Sequence, residues 1–456
     1  MVVMKFGGSS LRDVESVKRT ADIIKRNRFS RRIVVLSAFY GVTDMLVGSI
    51  NKALEDEKLV KLNIEEIESF HTDIIKGIIT DREIYKDCCD SLNRLTSRIE
   101  KLLRGVSYTG EATPRTVDQV LSTGERISVH IMANYLKQIG VNAIPVETDR
   151  IGLVAEGEWG NGTVERKSTR RSLCRYFNSI IKENLLPVVT GFFGRTPEGD
   201  TITFGRGGSD YTAAVIADAV KVERLEIWKD VDGFLSGSPE VVENSRLLNN
   251  LSYEEAAELA YFGAKILHPR TIEPLLVQKI PIVIRNTFNP NGIGTWIGEE
   301  RYIRDGVVKS VTYNRSIALL RIHGADVGYT VGLLHLLVSD LSRIGVNIRS
   351  VMTSQTCINI LLDKDVLRRS VEHLRSIKLE GVDSLEPIED VGLIAIVGEG
   401  LSNAEEPLAK AVHCLTKAGL KIEIIVSGAS RVASYFVVRE NNLEKGIREV
   451  HRIFFE

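Results

Sequence analysis

Met4-Lys5-Phe6-Gly7-Gly8-Ser9-Ser10 and Gly205-Arg206-Gly207-Gly208-Ser209-Asp210-Tyr211-Thr212-Ala213-Ala214 are the two stretches whose reading decides the fold. Each follows a β-forming run and opens a run with helical spacing, so each reads as strand, glycine turn, helix. Such a turn presents backbone N–H groups and a helix N-terminus to an anion. With a lysine in the first, and an arginine and an aspartate in the second, the pair is a candidate phosphate and carboxylate site. Neither contains G-x-x-x-x-G-K-[ST], so neither is a Walker A loop. No G-x-G-x-x-G follows the first strand, which argues against a dinucleotide-binding dehydrogenase.

Working outward, Val2–Phe6 reads as a strand, and Leu11, Val14, Val17, Ala21 and Ile24 recur at helical spacing. Ile33–Ala38 is a continuous apolar run, as in a strand covered on both faces. This β-α-β order predicts a parallel sheet with helices packed on it. Residues 45–104 predict two or three helices, 105–115 a loop, and 117–136 a helix containing Gly124 and Glu125. Further strands are expected over 185–190, 223–228 and 280–284, a turn-rich hairpin over 191–200, and helices over 211–220 and 253–267. Asn289-Pro290-Asn291-Gly292 then breaks the pattern.

Beyond about residue 305 an internal repeat appears. Ser316–Gly324 aligns without gaps on Asp390–Gly398, and the same offset sets Ile344–Ile348 on Ala418–Ile422. Each copy reads β-α-β-β-α, a small ferredoxin-like sandwich. Copies this short look like a paired binding module appended to a catalytic body.

The bulk numbers bound the function. The 456 residues suffice for several domains, and the 43% hydrophobic and 26% charged fractions are those of a globular protein. A net charge of −1 gives no global electrostatic case for nucleic acid or an anionic membrane, so neither is expected as a partner. No apolar run approaches the roughly 20 residues that span a bilayer. The chain starts directly in a strand-like run, and its five scattered cysteines show no metal-ligand spacing. A cytoplasmic protein with reduced thiols and no protein-held metal is the expectation.

Lys5 ends the first strand beside a glycine turn, where an ammonium can bind phosphates, although a solvated lysine at a strand end would look the same. Arg206 suits bidentate binding of a carboxylate. Ser209 reads as a helix N-cap and Asp210 as a first-turn carboxylate favoured by the helix dipole, both of which purely structural roles would explain. Gly207 and Gly208 permit close backbone approach. Glu125 in a helical run would ordinarily be a solvated face, and His268 a structural hydrogen-bonder.

Taken in order, five segments resemble the signature set of the aspartokinase family. They are Lys5-Phe6-Gly7-Gly8-Ser9-Ser10, Ser37-Ala38-Phe39-Tyr40-Gly41-Val42-Thr43, Ser122-Thr123-Gly124-Glu125, Gly205–Asp210 and Phe262-Gly263-Ala264-Lys265-Ile266-Leu267-His268-Pro269. The two C-terminal copies resemble that family's paired ACT domains. The resemblance implies an α/β chain with an amino acid kinase fold, an α/β/α sandwich around a mainly parallel sheet, over residues 1–302. Two ferredoxin-like ACT domains would follow over 315–385 and 386–456, with 303–314 lending a strand to the second.

The implied reaction is transfer of the ATP γ-phosphoryl group to the side-chain carboxylate of L-aspartate, the step that opens the route to lysine, threonine and methionine. By that resemblance Lys5 bridges the γ-phosphate and the attacking carboxylate, and Asp210 holds Lys5. Gly7 and Gly8, with Phe6, line the phosphates. Arg206 binds the α-carboxylate of aspartate and Glu125 its α-ammonium. Ser37, Thr43, Gly207, Gly208 and Ser209 complete the acceptor pocket. Lys229, Asp230, Phe234, Lys265 and Ile266 belong to the nucleotide site. Mg²⁺ would ride on the ATP phosphates. A lysine or threonine effector would sit near Gly324, Asp326, Val327 and Gly328 with Met352, Thr353 and Asn359, at an ACT interface of a homodimer or dimer of dimers.

Two departures from the family pattern stand out. Ser238-Pro239-Glu240 replaces the usual Asp-Pro-Arg or Asp-Pro-Lys, which removes a basic nucleotide contact, and Phe234 replaces the usual Tyr or aliphatic residue. In the second repeat Ala433 stands where the first has Asn359, which centres effector binding on the first copy. The rival readings are a sibling kinase acting on acetylglutamate, glutamate, carbamate or a nucleoside monophosphate, and a non-catalytic amino-acid sensor. Tandem ACT copies and Ser-Thr-Gly-Glu argue against the first, and joint retention of Lys5, Glu125, Arg206 and Asp210 against the second.

Overall fold

A computed structural model describes residues 1–264, 266–301, 307–377 and 379–456. Lys265 and residues 302–306 therefore lie outside the described residues, as does the expected boundary at 302. Contacts divide the chain into two units. The first is Met1–Phe234, Leu247–Ala257 and 265–301; the second is Leu235–Arg246, Glu258–Ala264 and 302–456.

In the first unit Val2–Phe6 is buried along its whole length, as its apolar run demands. It lies inside an eight-stranded sheet. In spatial order the strands are Asn250–Ser252, Thr295–Gly298, Ile282–Asn286, Arg224–Lys229, Val2–Phe6, Arg32–Leu36, Leu186–Thr190 and Ala143–Val146. The described pairings are parallel except that of Ile282–Asn286 with Thr295–Gly298. Lys5 is in register with Val35 on one side and Ile227 on the other, so three strands deliver their carboxyl ends together. The chain order departs in both directions from Val2–Phe6, which makes this a switch point, where open α/β sheets place their ligands.

Three helices, Val42–Glu55, Lys58–Ile78 and Arg82–Thr109, fill the stretch expected to be helical, and their apolar stripes share one core with the sheet. The structure corrects the expected loop at 105–115. The third helix runs through Gly105 to Thr109 and stops at Gly110, whose φ of 70° is the left-handed cap that favours glycine. The expected helix over 117–136 is two, Pro114–Leu121 and Thr123–Gln138, meeting at Ser122. The helix expected over 253–267 ends at Tyr261.

The second unit holds two four-stranded antiparallel sheets. The first is built from Ile348–Thr353, Cys357–Asp363, Ile317–His323 and Ser384–Ile388. Its last strand runs to Ile388 and is thus cut by the expected boundary at 385/386. The second is built from Ser310–Asn314, Val391–Val397, Ala433–Arg439 and Ile422–Val426. Ser310–Asn314 precedes the first repeat in sequence yet pairs with Val391–Val397, so the repeats are interleaved. One strand face packs on helices in each repeat. The other faces are buried too: Leu319, Leu361, Leu393 and Val437 are at most 2% exposed. Tyr435 Oη donates to Ser350 Oγ at 2.7 Å, tying one sheet to the other.

Candidate active site

Two cavities open at the carboxyl ends of the central strands. One, of about 350 Å³, is lined by Lys5, Gly7, Gly8, Ser9, Ser37, Lys229, Asp230, Val231 and Ile266. The other, of about 520 Å³, takes in Thr43, Glu125, Phe192, Arg206, Gly207, Gly208, Ser209 and Asp210. Lys5, Gly8 and Ser37 line both and form the wall between them.

Lys5 is the one charged residue in its buried strand, and burial lowers its pKa while the Asp210 carboxylate pulls the other way. Its ammonium lies 2.5 Å from Asp210 Oδ1. Lys229 approaches the other oxygen of Asp210 at 3.7 Å. Burial by itself would raise the Asp210 pKa; the two ammonium groups overcome it and hold the carboxyl below its usual range. Two ammonium groups thus converge on the one carboxylate of Asp210 beside a glycine turn.

Asp210 lies in the first turn of Gly208–Val220, as expected, but Ser209 is not the N-cap. Gly207 takes that position in the left-handed region, and Ser209 stands inside the first turn. Gly205 and Gly207, with φ of 70° and 72°, bracket Arg206. A side chain at Gly207 would strike the His268 ring, so His268 acts as a backstop for the loop, and its Nδ1 accepts from the Arg270 N–H at 3.3 Å. Arg206 is exposed into the cavity, and among the described residues its guanidinium has no ion-pair partner.

Glu125 is the largest departure from the solvated reading. It is 4% exposed, and burial lifts its pKa to about 8 although the Ala38 N–H and Lys5 favour the anion. Gly124 explains how it comes so close to the 37–43 loop: a Cβ there would stand 2.8 Å from that of Ala38. Next to it, Arg126 is 3% exposed and bonds Glu147 and Asp149, the latter at 2.5 Å, which fixes the start of this helix.

Some expected residues lie elsewhere. The Phe6 ring is fully buried and stacks on Trp228 at 5.7 Å, and Phe234 is buried with its N–H bonded to Thr295; neither residue lines either of these two cavities. Glu240 groups with the second unit, where it accepts from Tyr313 Oη at 3.2 Å. In the first repeat Met352 pairs in register with Asn359, and Thr353 follows on the same strand. The Asn359 side chain accepts from Arg321 Nε at 3.3 Å. Gly324, Asp326 and Gly328 lie in the turn after Ile317–His323, but the Val327 side chain is in the repeat's core and cannot face an effector. A cavity in this unit lies elsewhere, between the sheets, walled by Tyr261, Phe262, Arg349, Ser350 and Tyr435 among others.

Sequence reasoning missed Phe192 and Asp118, which line the Arg206-side cavity. Phe192 has φ of 76°, a strained value for a non-glycine residue, held by its N–H on Thr212 Oγ1 and its C=O under the Phe204 N–H. Such strain leaves no mark in a sequence.

Comparison with known proteins agrees with this geometry. The amino acid kinase family model matches residues 1–286, and an ACT domain model matches residues 394–454. Over 100% of its length the chain is 31% identical to the chloroplastic aspartokinase 1 of Arabidopsis thaliana, covering 80% of that protein. The chloroplastic aspartokinase 2 of the same plant is 30% identical, with 84% covered. Among solved structures, E. coli aspartokinase III in complex with aspartate and ADP (R-state) superposes with a TM-score of 0.86 at 26% identity, with all of both chains covered. The same enzyme in complex with lysine and aspartate (T-state) gives 0.82, at the same identity and coverage. A chain with this sheet, this pair of cavities and these relatives belongs to the aspartokinases of the amino acid kinase family, with C-terminal ACT domains.

Proposed function

We infer that the chain binds ATP in the Lys229-side cavity and L-aspartate in the Arg206-side cavity, and transfers the γ-phosphoryl group between them. The observation that carries this is the shared wall: Lys5, Gly8 and Ser37 face both cavities, so one ammonium reaches donor and acceptor together. The side-chain carboxylate of aspartate is already ionised at neutral pH, so no general base is required. Its oxygen forms a bond to the γ-phosphorus while the bond to the bridging oxygen breaks, and the electron pair leaves with ADP. The product is 4-phospho-L-aspartate.

The protein's work is positioning and charge neutralisation. Lys5 offsets charge on the transferring group, and Asp210 keeps Lys5 protonated and aimed. Arg206 takes the α-carboxylate, Glu125 the α-ammonium, and Ser37 and Thr43 border the acceptor. The first-turn N–H groups of Gly208–Val220 add positive potential. Gly7, Gly8, Lys229, Asp230 and Ile266 border the nucleotide. Two ammonium groups facing a glycine turn fit a polyphosphate. Mg²⁺ held by those phosphates and water would supply further charge neutralisation when bound, and no protein ligand is assigned to it.

For regulation we carry over feedback by lysine or threonine through the first repeat, supported by the lysine in the E. coli T-state relative. A homodimer through this repeat is supported by its apolar surface: Val331 is 99% exposed, Tyr329 74%, and Leu334, Leu336 and Val338 at least 40%.

The test is acyl phosphate trapping. With Mg-ATP and hydroxylamine, L-aspartate should give hydroxamate and ADP, whereas glutamate, N-acetylglutamate and carbamate should not. Equal turnover of one of those acceptors would replace aspartate as the substrate.

A further inference from the structure

Arg206 poses a problem of aim. Its guanidinium has no partner among the described residues, and it rides between two left-handed glycines, so nothing in its own side chain fixes its direction. Its direction must come from the backbone of 203–205 leading into it. That backbone is held from two sides by residues outside the catalytic pair.

On one side stands Asp118, on the helix Pro114–Leu121 and 1% exposed. Its Oδ2 accepts from the Thr203 N–H at 2.8 Å and the Gly160 N–H at 2.9 Å, and its Oδ1 from Thr203 Oγ1 at 2.8 Å. Among the described residues it has no ion-pair partner. A buried carboxylate satisfied only by two backbone N–H groups and a hydroxyl spends its charge on holding the backbone.

On the other side stands Arg270. Nη1 donates to the Phe204 carbonyl at 2.9 Å and to Asn161 Oδ1 at 3.1 Å, and Nη2 to the Gly162 carbonyl at 2.7 Å. Its guanidinium lies 4.8 Å over the Tyr211 ring. Gly162 N–H in turn bonds the Thr203 carbonyl at 2.8 Å. Asp118 and Arg270 therefore clamp the same two strips of chain, 160–162 and 203–204, against each other, one from each end. Both clamps use geometry that a single charge cannot replace: two carboxylate oxygens for three donors, and a planar fork for three acceptors.

We propose that Asp118 and Arg270 are a paired positioning device that sets the aim of Arg206, and hence the affinity and selectivity for the amino-acid acceptor. The proposal rests on the acceptor reading given above. It separates from a merely structural role because it predicts a lesion confined to the acceptor. With the clamp loosened, Arg206 samples more directions and aspartate binds less well. Lys5 and Lys229 sit on other strands, and Asp210, on the helix Gly208–Val220, is tied to Lys5, so all three keep their places.

The test uses Asp118→Asn, which removes an acceptor while keeping shape, and Arg270→Lys, which keeps charge while removing the fork, singly and together, on the full chain. Thr203→Val is the milder third variant should either fail to fold. Each single variant should raise the aspartate KM, and the aspartate Kd by calorimetry, about tenfold or more, with kcat and the ATP KM within about threefold. Because both residues hold one segment, the double variant should be little worse than the worse single one. A parallel rise in the ATP KM, an unchanged aspartate Kd in both single variants, or effects that multiply in the double would overturn the proposal. The activity reading fails separately: it falls if the wild type forms no hydroxamate while still binding aspartate, and the Kd comparison then still decides the clamp.

Discussion

Lys5 Nζ stands 2.5 Å from Asp210 Oδ1, and both side chains are about 6% exposed. One comes from the first strand and the other from a helix that begins at residue 208, so the fold itself assembles the pair. Removing one partner of such a pair strands the other charge in a poor solvent. Asp210→Asn should lower stability by about 3–5 kcal/mol, read from urea unfolding at pH 7. The same change removes what opposes burial at Lys5, so the lysine loses its proton at lower pH. The alkaline limb of the kcat profile should therefore move to lower pH; an unmoved limb would separate Asp210 from Lys5.

Glu125, with its pKa raised to about 8, is largely protonated at neutral pH in the free protein. Binding the aspartate ammonium favours its anion, so binding should release a proton. The aspartate KM should fall by about tenfold or more between pH 6.5 and 8.5 and level off above. Calorimetry in two buffers of different ionisation enthalpy at pH 7 would show the released proton; identical enthalpies would refute it.

The same shift has a consequence for stability. The folded state holds a proton on Glu125 that the unfolded state has lost above about pH 4.5. Its contribution is full below that pH and disappears as pH rises through about 8. Glu125→Gln should thus raise the melting temperature more at pH 8 than at pH 5 while weakening aspartate binding, a trade of function for stability.

Arg126 gives a different signature. Against a burial effect that would raise it, a hydrogen bond to His130 and then the charges of Arg126 and Arg150 hold Glu147 down to a pKa of about 2. Arg126→Met should cost about 3–5 kcal/mol at pH 7. The cost should shrink toward pH 4, where Glu147, left with only His130 and Arg150, takes up a proton more readily. A cost independent of pH would mean that Arg126 acts by packing alone, over Phe193.

The apolar face of the first repeat should carry self-association. Val331→Glu combined with Leu334→Glu should halve the mass seen by light scattering while leaving the ACT fold intact by circular dichroism. A mass unchanged by both charges would place the dimer elsewhere.

Much of this was legible in the sequence, and for physical reasons. Lys5 shows itself as a charge inside an apolar strand, and Gly205 and Gly207 as turn formers between a strand and a helix. The repeat after residue 305 is visible because both copies bury the same strand positions. Glu125 is different. Helical periodicity cannot tell a solvated glutamate from one drawn against a loop by Gly124, and only the motif resemblance singled it out. Asp118 looks like any polar residue of a short helix, because its partners, two backbone N–H groups and a hydroxyl, lie some 40 and 85 positions away. The end of the helix at Tyr261 was hidden for a similar reason. Gly263, with φ of 129°, has its Cα against the Tyr313 carbonyl, a constraint set by distant chain.

The central claim is that one ammonium serves both cavities, and Lys5→Met tests it most directly. In the hydroxylamine assay at saturating Mg-ATP and L-aspartate, the variant should lose about a thousandfold or more in kcat. Its calorimetric aspartate affinity should stay within about tenfold of wild type, since Arg206 and Glu125 remain. Hydroxamate formation by Lys5→Met at a rate near that of the wild type would contradict the account.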